Sequence, residues 1–423
     1  MLHQHPFLRI CVAFVVGIVI AYVYPCPWLT GILFASALVI SLLQLIPSFH
    51  YHDHLAGMSL FLCIVAMGML TLITYPKPAV ATHQLTYPTP PNLVTQTAEQ
   101  TQQHLLDILA AHTDSIAYGY TSAMVLGKKT AISKRTKQHF SAAGASHLLA
   151  VSGLHVGIIY GSLCLLLFPF SPHSRTRKIA SIVIIVLLWG YAYLCGLPAS
   201  IIRAVTMFSI SAIGMALGQK TQSLNTVFCT AFIMLLYNPY YLFDIGFQLS
   251  FGAVIGIILL YPKLYQSLSC KHTLTRWLWG MLCVSTAAQI GTLPFILYYF
   301  GNFPLYFLLT NALLIPLSTL LIYCTLALFL LSPLEISHLM DYPIHWICQL
   351  LHGFSTSISQ LPFAKIHVSI GLLQACSLTG LLLATCIFIY HPRVKHLYLP
   401  LCCIILLLLS GITSDIYKLF VNL

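Results

Sequence analysis

Apolar residues run through this chain in long blocks, which polar residues interrupt rather than alternate with. In order, the blocks fall at 7–24, 28–47, 55–75, 147–170, 179–195, 200–217, 224–237, 241–261, 277–300, 304–331, 368–390 and 397–412. Each is apolar all round, the pattern of a helix enclosed by lipid or by other such helices. A spanning helix needs roughly 20 mainly apolar residues, so about twelve spans are predicted. Lipid-facing barrel strands would show short apolar–polar alternation, which these blocks lack. The expected fold is all-α, a polytopic integral membrane helical bundle of about twelve spans. Some helices are expected to be broken or kinked, and one or two to lie at the interface. The first block resembles a secretory leader, since Arg9 precedes an apolar stretch within it. No small-residue cleavage site precedes Pro25, however, and a second span follows at once, so a retained helix is expected.

Charge patterning orients the blocks. With the N-terminus in the cytoplasm, the short loops carrying Arg175, Arg177 and Lys178, then Lys220, then Lys263, Lys271 and Arg276, all fall inside. The short loops near Pro25, Gly196, Asn238 and Asn302 fall outside and carry no Lys or Arg, a positive-inside arrangement. Arg393 and Lys395 between the last two blocks are the exception. The long connection 76–146 lies outside by this count. Its first part, 77–91, reads as a proline-stiffened extended linker, and 99–117 as a short helix with Leu105, Ile108 and Leu109 on one side. Lys128, Lys129, Lys134, Arg135 and Lys137 follow, the densest basic segment of the chain. A second amphipathic element is predicted at 342–361. Ile344, Ile347, Leu350, Leu351, Phe354, Ile358 and Leu361 form its apolar face, and His345, Gln349, His352 and Ser355 much of the other.

Composition narrows the class further. Only 6% of the 423 residues are charged and 59% are hydrophobic, against about 25% charged in a soluble chain; a water-soluble globular protein is excluded. The formal charge of +11 fits both cytoplasmic loop bias and a conduit for a polyanion. The 14 cysteines sit mostly in apolar blocks without a C-x-x-C and read as packing residues. The 19 histidines show no H-E-x-x-H, and the segment His50-Tyr-His-Asp-His54 reads as a polar loop. No metal or cofactor site is predicted.

Polar residues inside the apolar blocks are the candidate chemistry. Arg203 stands near the start of one block; Asp244 and Gln248 share a helix face in the next but one. Gln289 and Asn311 follow in the two after that, with Gly246, Gly291, Pro294 and Pro316 available to bend helices. Intramembrane polar clusters usually mark conduits. His147, Ser152 and His155, with Gly153 and Gly157 beside them, form the most unusual stretch, and helical spacing puts Ser152 one turn from His155. A nucleophile–base pair would need an orienting acid and oxyanion donors too, and the G-x-S-x-G context is absent. No enzymatic activity is expected.

Four ordered blocks carry a family resemblance: Ser146-His-Leu-Leu-Ala-Val-Ser-Gly-Leu-His-Val-Gly157; Gly196-Leu-Pro-Ala-Ser-Ile-Ile-Arg-Ala204; Asn238-Pro-Tyr-Tyr-Leu-Phe-Asp-Ile-Gly-Phe-Gln-Leu-Ser-Phe251; and Ala288-Gln-Ile-Gly-Thr-Leu-Pro294 running on to Asn311-Ala-Leu-Leu-Ile-Pro316. Together they resemble the membrane domain of the ComEC family of competence proteins, over about 117–331. The resemblance implies a channel that passes single-stranded DNA across the bacterial inner membrane during natural transformation. His147, Ser152, Gly153, His155, Arg203, Asp244, Gln248, Gln289 and Asn311 would line its path, and the five basic residues would gather DNA at its mouth. Longer family members carry an OB-like domain and a C-terminal metallo-β-lactamase-like domain. The stretch 76–99 is too short for the first, and no H-x-H-x-D-H motif marks the second, so a short form is expected. With no Walker motif, the implied partners are a separate cytosolic ATPase motor, a DNA receptor and a separate nuclease. The expected division is a three-span bundle at 1–75, a linker with a short helix at 76–116, a channel domain at 117–331, and an interfacial helix with C-terminal spans at 332–423. The rival reading is a secondary transporter of a small anionic solute, which often carries an internal repeat; none is visible.

Overall fold

The computed structural model describes residues 6–43, 53–76, 79–81, 84–86, 93–169, 173–218, 223–269, 271–334, 336–390, 392 and 397–408. The helices are α1 (Pro6–Val23), α2 (Pro27–Leu43), α3 (Asp53–Thr74), α4 (Leu93–His112), α5 (Ser115–Met124), α6 (Lys134–Ala143), α7 (Gly153–Leu167) and α8 (Ser174–Leu194). There follow α9 (Ala199–Ala216), α10 (Ser223–Tyr237), α11 (Ile245–Gln266), α12 (Thr273–Phe300), α13 (Phe307–Leu331), α14 (Asp341–Ser359), α15 (Leu372–Tyr390) and α16 (Leu397–Leu408). Two antiparallel hairpins complete the described structure, β1 (Ala79–Ala81) with β2 (Gln84–Thr86), and β3 (Asn302–Pro304) with β4 (Lys365–His367). The protein is an all-α polytopic membrane protein. Helices α1, α3, α8, α9, α11, α12, α13 and α15 are long and apolar enough to cross a bilayer, and α2, α7, α10 and α16 are shorter apolar helices. One falls in each of the twelve apolar blocks.

The chain forms two compact units. The first comprises 1–92, 162–187 and 203–248; the second comprises 93–161, 188–202 and 249–423. These units cut across the sequential division at 75, 116 and 331. In the first, α1, α2 and α3 pack together and α10 packs on α1. Glycines set the α1–α3 crossing: a methyl on Gly17 would strike the Val65 carbonyl, and one on Gly68 the Phe14 carbonyl. Such contacts are a main source of helix association in lipid, where apolar burial contributes little between helices. The backbone N–H of Phe7 also donates to Asn225 Oδ1 at 3.0 Å, fixing the start of α1 to α10.

In the second unit a core of Leu109, Met124, Phe140, Leu148, Leu321 and Leu351 joins α4, α5, α6, α13 and α14. Helix α14 is the predicted amphipathic element. Its inward face is Ile344, Ile347, Cys348, Leu351, Ser355 and Ile358, a 3.6-residue stripe packed on α5, α6 and α13. Leu350, Phe354 and Leu361 flank that stripe and remain exposed, whereas Ser355, expected on the polar face, is buried.

Three local expectations are corrected. Helices α12 and α13 continue through Pro294 and Pro316 without a break. Gly291 serves close packing instead, because a methyl there would meet the Gly252 carbonyl of α11. The stretch 77–91 is more than an extended linker, since Ala79 to Ala81 pair with Gln84 to Thr86. His50, His52, Arg393 and Lys395 lie outside the described residues, and Asp53 opens α3. No disulfide occurs among the described residues.

Candidate functional site

The block 146–157 is half turn and half helix. Helix α7 begins at Gly153, so His147 sits in a non-helical turn and the helical spacing expected from 147 to 155 does not exist. The cause is a cap. The Ser152 carbonyl accepts from Val156 N–H at 3.2 Å, and the Ser152 backbone N–H donates to His155 Nδ1 at 3.3 Å. His155 thus reaches back as the third residue of a capping box does. A neutral ring accepting at Nδ1 carries its proton on Nε2, and that Nε2 is buried without a hydrogen-bond partner. Ser152 Oγ is buried and unpartnered too, so the hydroxyl and the ring are not hydrogen-bonded to each other. His147 is exposed, and so is Gly153.

Gln289 on α12 and Asn311 on α13 belong to the same unit. Gln289 Nε2 and Asn311 Oδ1 are buried with no hydrogen-bond partner, and Asn311 is 7% exposed. Neighbouring hydroxyls are satisfied. Thr292 bonds back to the Ala288 carbonyl at 3.0 Å, and Thr310 Oγ1 donates to the Ala143 carbonyl at 2.7 Å, tying α13 to the end of α6.

In the first unit the structure brings Arg203, Asp244 and Gln248 together. Arg203 is 6% exposed and its Nη1 lies 3.7 Å from Asp244 Oδ1, an ion pair too long for a hydrogen bond. Its Nε has no partner. Asp244 is not within the helix, as sequence spacing implied, but caps it: Oδ1 accepts from Phe247 N–H at 2.8 Å. Gln248 Nε2 turns back to the Leu242 carbonyl at 2.9 Å. Upstream, Asn238 Oδ1 accepts from Tyr240 N–H and opens the short 3-10 turn Pro239–Phe243. Gly246 leaves the room this cluster needs, since a Cβ there would stand 3.1 Å from both Arg203 Nη2 and Asp244 Oδ1.

Two features escape sequence reasoning. Gln102 of α4 is buried, and its Nε2 donates to the Leu126 carbonyl at 2.7 Å and the Cys195 carbonyl at 2.6 Å. Gly196, with φ +77°, lies against that side chain, and Leu197 continues the left-handed backbone at φ +55°. Tyr191 Oη also donates to the Val125 carbonyl at 3.0 Å, and Ser200 Oγ to the Val151 carbonyl at 3.0 Å. One knot therefore holds the start of the 196–204 block against the 146–157 block. The second feature joins His112 at the end of α4 to Asp341 at the start of α14, Nδ1 to Oδ1, at 3.1 Å. His338 Nδ1 lies 3.2 Å from Asp341 Oδ2. The first pair is 229 residues apart in sequence, the second only three.

The basic segment is a loop and a helix start. Lys129, Lys134, Arg135 and Lys137 are exposed and Lys128 is half-buried. None forms an ion pair among the described residues. Ser133 caps α6, its Oγ accepting from Thr136 N–H at 3.0 Å. Three cations in the opening turns of α6 oppose the helix macrodipole, whose N-terminal end favours anions. Local desolvation, and then the charge of Lys137, lower the Lys129 pKa.

Fold and site together define a polytopic membrane protein with buried polar groups on several spans and an exposed cationic segment. Comparison with known proteins is consistent with this class and narrower: the competence-protein family model matches residues 124–393, and the chain belongs to that family. It is 30% identical over 218 residues to ComE operon protein 3 of Bacillus subtilis (strain 168), covering 52% of this chain and 27% of that one. Identity to competence protein ComA of Neisseria gonorrhoeae is 26% over 271 residues, covering 60% and 38%. For recombination protein 2 of Haemophilus influenzae it is 24% over 213 residues, covering 48% and 27%. The matches thus span 27% to 38% of these relatives' own lengths. No solved structure matches.

Proposed function

We propose that this chain is the inner-membrane conduit through which single-stranded DNA enters the cytoplasm during natural transformation, and that it acts as a carrier rather than an enzyme. The observation that carries the reading is where the unpartnered polar atoms fall. Ser152 Oγ, His155 Nε2, Gln289 Nε2 and Asn311 Oδ1 in one unit, and Arg203 Nε in the other, lie in the blocks of family resemblance, while Thr30 Oγ1, Ser181 Oγ, Ser209 Oγ and Asn302 Oδ1, also buried without a partner, lie outside them. A buried polar group left unmatched costs about 1–3 kcal/mol. Five such groups on apolar spans are poor packing and good equipment for a polar cargo. Arg203 Nε, Gln289 Nε2 and His155 Nε2 are donors, the complement of phosphate and base acceptors. Each unit contributes its own donors.

Lys128, Lys129, Lys134, Arg135 and Lys137, on the outer face by the charge pattern, gather the polyanion. Their clustering at the start of α6 lowers helix stability in the absence of an anion and is compensated when phosphate binds. The pull comes from a separate cytosolic ATPase, delivery from a DNA receptor, and removal of the second strand from a separate nuclease. The test is uptake of labelled double-stranded DNA into a protease- and nuclease-resistant cytosolic pool, with and without the chain. Loss of that pool while surface-bound DNA persists supports the proposal. Unchanged DNA entry overturns it and moves the transport of a small anionic solute to first place.

A further inference from the structure

The geometry points to a binding site for one divalent transition-metal ion of the zinc type, formed by His112, His338 and Asp341. All three lie in the second unit and come from three elements: the last residue of α4, the 3-10 turn Ser337–Met340, and the first residue of α14 that follows it. Their ligand atoms all lie within 4.8 Å of one another. Zinc binds imidazole nitrogen and carboxylate oxygen at about 2.0–2.2 Å, so two ligand atoms on its tetrahedron stand roughly 3.3 Å apart. The observed separations are 3.1 Å from His112 Nδ1 to Asp341 Oδ1 and 3.2 Å from His338 Nδ1 to Asp341 Oδ2. The carboxylate stands between the two imidazoles, one oxygen toward each, at separations close to that edge.

Two further observations favour a site over a chance ion pair. Ser337 Oγ lies 3.1 Å from His112 Nε2, the outer hydrogen bond that fixes ring orientation and tautomer in metal-binding histidines. The cluster also lines a cavity of about 350 Å³ whose other walls include Asp114, His345 and Tyr342. Asp114 and His345, which line the same cavity, are themselves paired, His345 Nδ1 to Asp114 Oδ2, at 3.4 Å. Two imidazoles with one carboxylate suit zinc and its first-row neighbours, whereas magnesium and calcium take oxygen ligands. The His338 side chain is 78% exposed, which leaves an entry path. An ion here joins the end of α4 to the start of α14. Sequence reading found no such site because His112 and Asp341 are 229 positions apart.

The experiment uses the full chain, purified without a histidine tag in detergent, stripped with chelator and titrated with Co²⁺ as a spectroscopic probe. One Co²⁺ per chain is expected, with visible d–d absorption that Zn²⁺ abolishes. His338→Ala and Asp341→Asn should each weaken binding by more than about 10-fold, and Ser337→Ala by about 10-fold, as the loss of an outer-shell partner does. Because His338 is largely exposed, His338→Ala leaves the fold intact, and it decides the matter even where Asp341→Asn elutes as aggregate. A wild-type chain taking up no more ion than the detergent blank overturns the site. So does a monodisperse His338→Ala chain that binds Co²⁺ as tightly as the wild type.

Discussion

Arg203 is the residue whose position is hardest to explain by packing alone. A guanidinium inside a bilayer costs up to about 2.5–3.5 kcal/mol, the value at its centre on translocon scales, and among the described residues the carboxylate paired with it stands off at 3.7 Å. An interhelical lock would close that distance and satisfy Nε. Replacing Arg203 with Ala is therefore expected to cut uptake by about 100-fold or more, the equivalent of losing one charge-assisted contact of roughly 2.7 kcal/mol. Membrane insertion should be unchanged. Arg203→Lys should recover only part, because an ammonium is a point charge without the guanidinium's planar fork. Immunoblotting of membranes beside a transformation assay reads both; wild-type uptake by an inserted Arg203→Ala chain sinks the role. Gln102 invites the opposite expectation, a structural one. Its amide satisfies two buried carbonyls, so Gln102→Ala should lower stability by about 2–6 kcal/mol, since each stranded carbonyl costs about 1–3. The thermal midpoint of the detergent-solubilised protein measures this, with uptake falling only as far as protein level falls.

At the scale of elements, the twelve apolar blocks were legible because a bilayer demands a composition, not a contact. Where helices begin was less so. Apolar residues continue upstream of Gly153 and of Ile245, but backbone capping by Ser152 with His155, and by Asp244, starts each helix later than hydropathy does. Glycine was misread in one respect. Gly291 looked like a hinge, and it is a contact: Gly252 and Gly256 on α11 face Gly291 and Ala287 on α12 so closely that no methyl fits. Sequence shows small residues but not which neighbour they approach. Likewise Arg203 and Asp244 were legible as candidates from their cost in lipid, whereas Gln102 and His112 look like ordinary residues of a soluble helix until partners 93 and 229 positions away are known. The crossing itself can be tested. Gly291→Ile should destabilise the protein by about 1–3 kcal/mol through overpacking against backbone that cannot yield, read as a lower thermal midpoint. An unchanged midpoint would mean the two helices separate at no cost.

For the molecule as a whole the question is what the excess of positive charge is for. Loop orientation explains most of the +11, yet Lys128, Lys129, Lys134, Arg135 and Lys137 lie in a long connection to which that rule does not apply, and none has an acidic partner among the described residues. Solvation or lipid headgroups would hold such a patch equally well, so affinity alone does not discriminate. Salt dependence does. Each phosphate contact with a single strand contributes about 0.7 to the slope of log affinity against log salt. Changing all five residues to Gln should therefore flatten the slope for single-stranded DNA by up to about 3.5, at that ~0.7 per contact. Uptake should drop while Arg203-dependent passage of the remaining strand persists. A patch that binds only lipid would leave the DNA slope where it was and instead weaken binding to anionic vesicles. The two outcomes separate DNA gathering from membrane anchoring with the same variant.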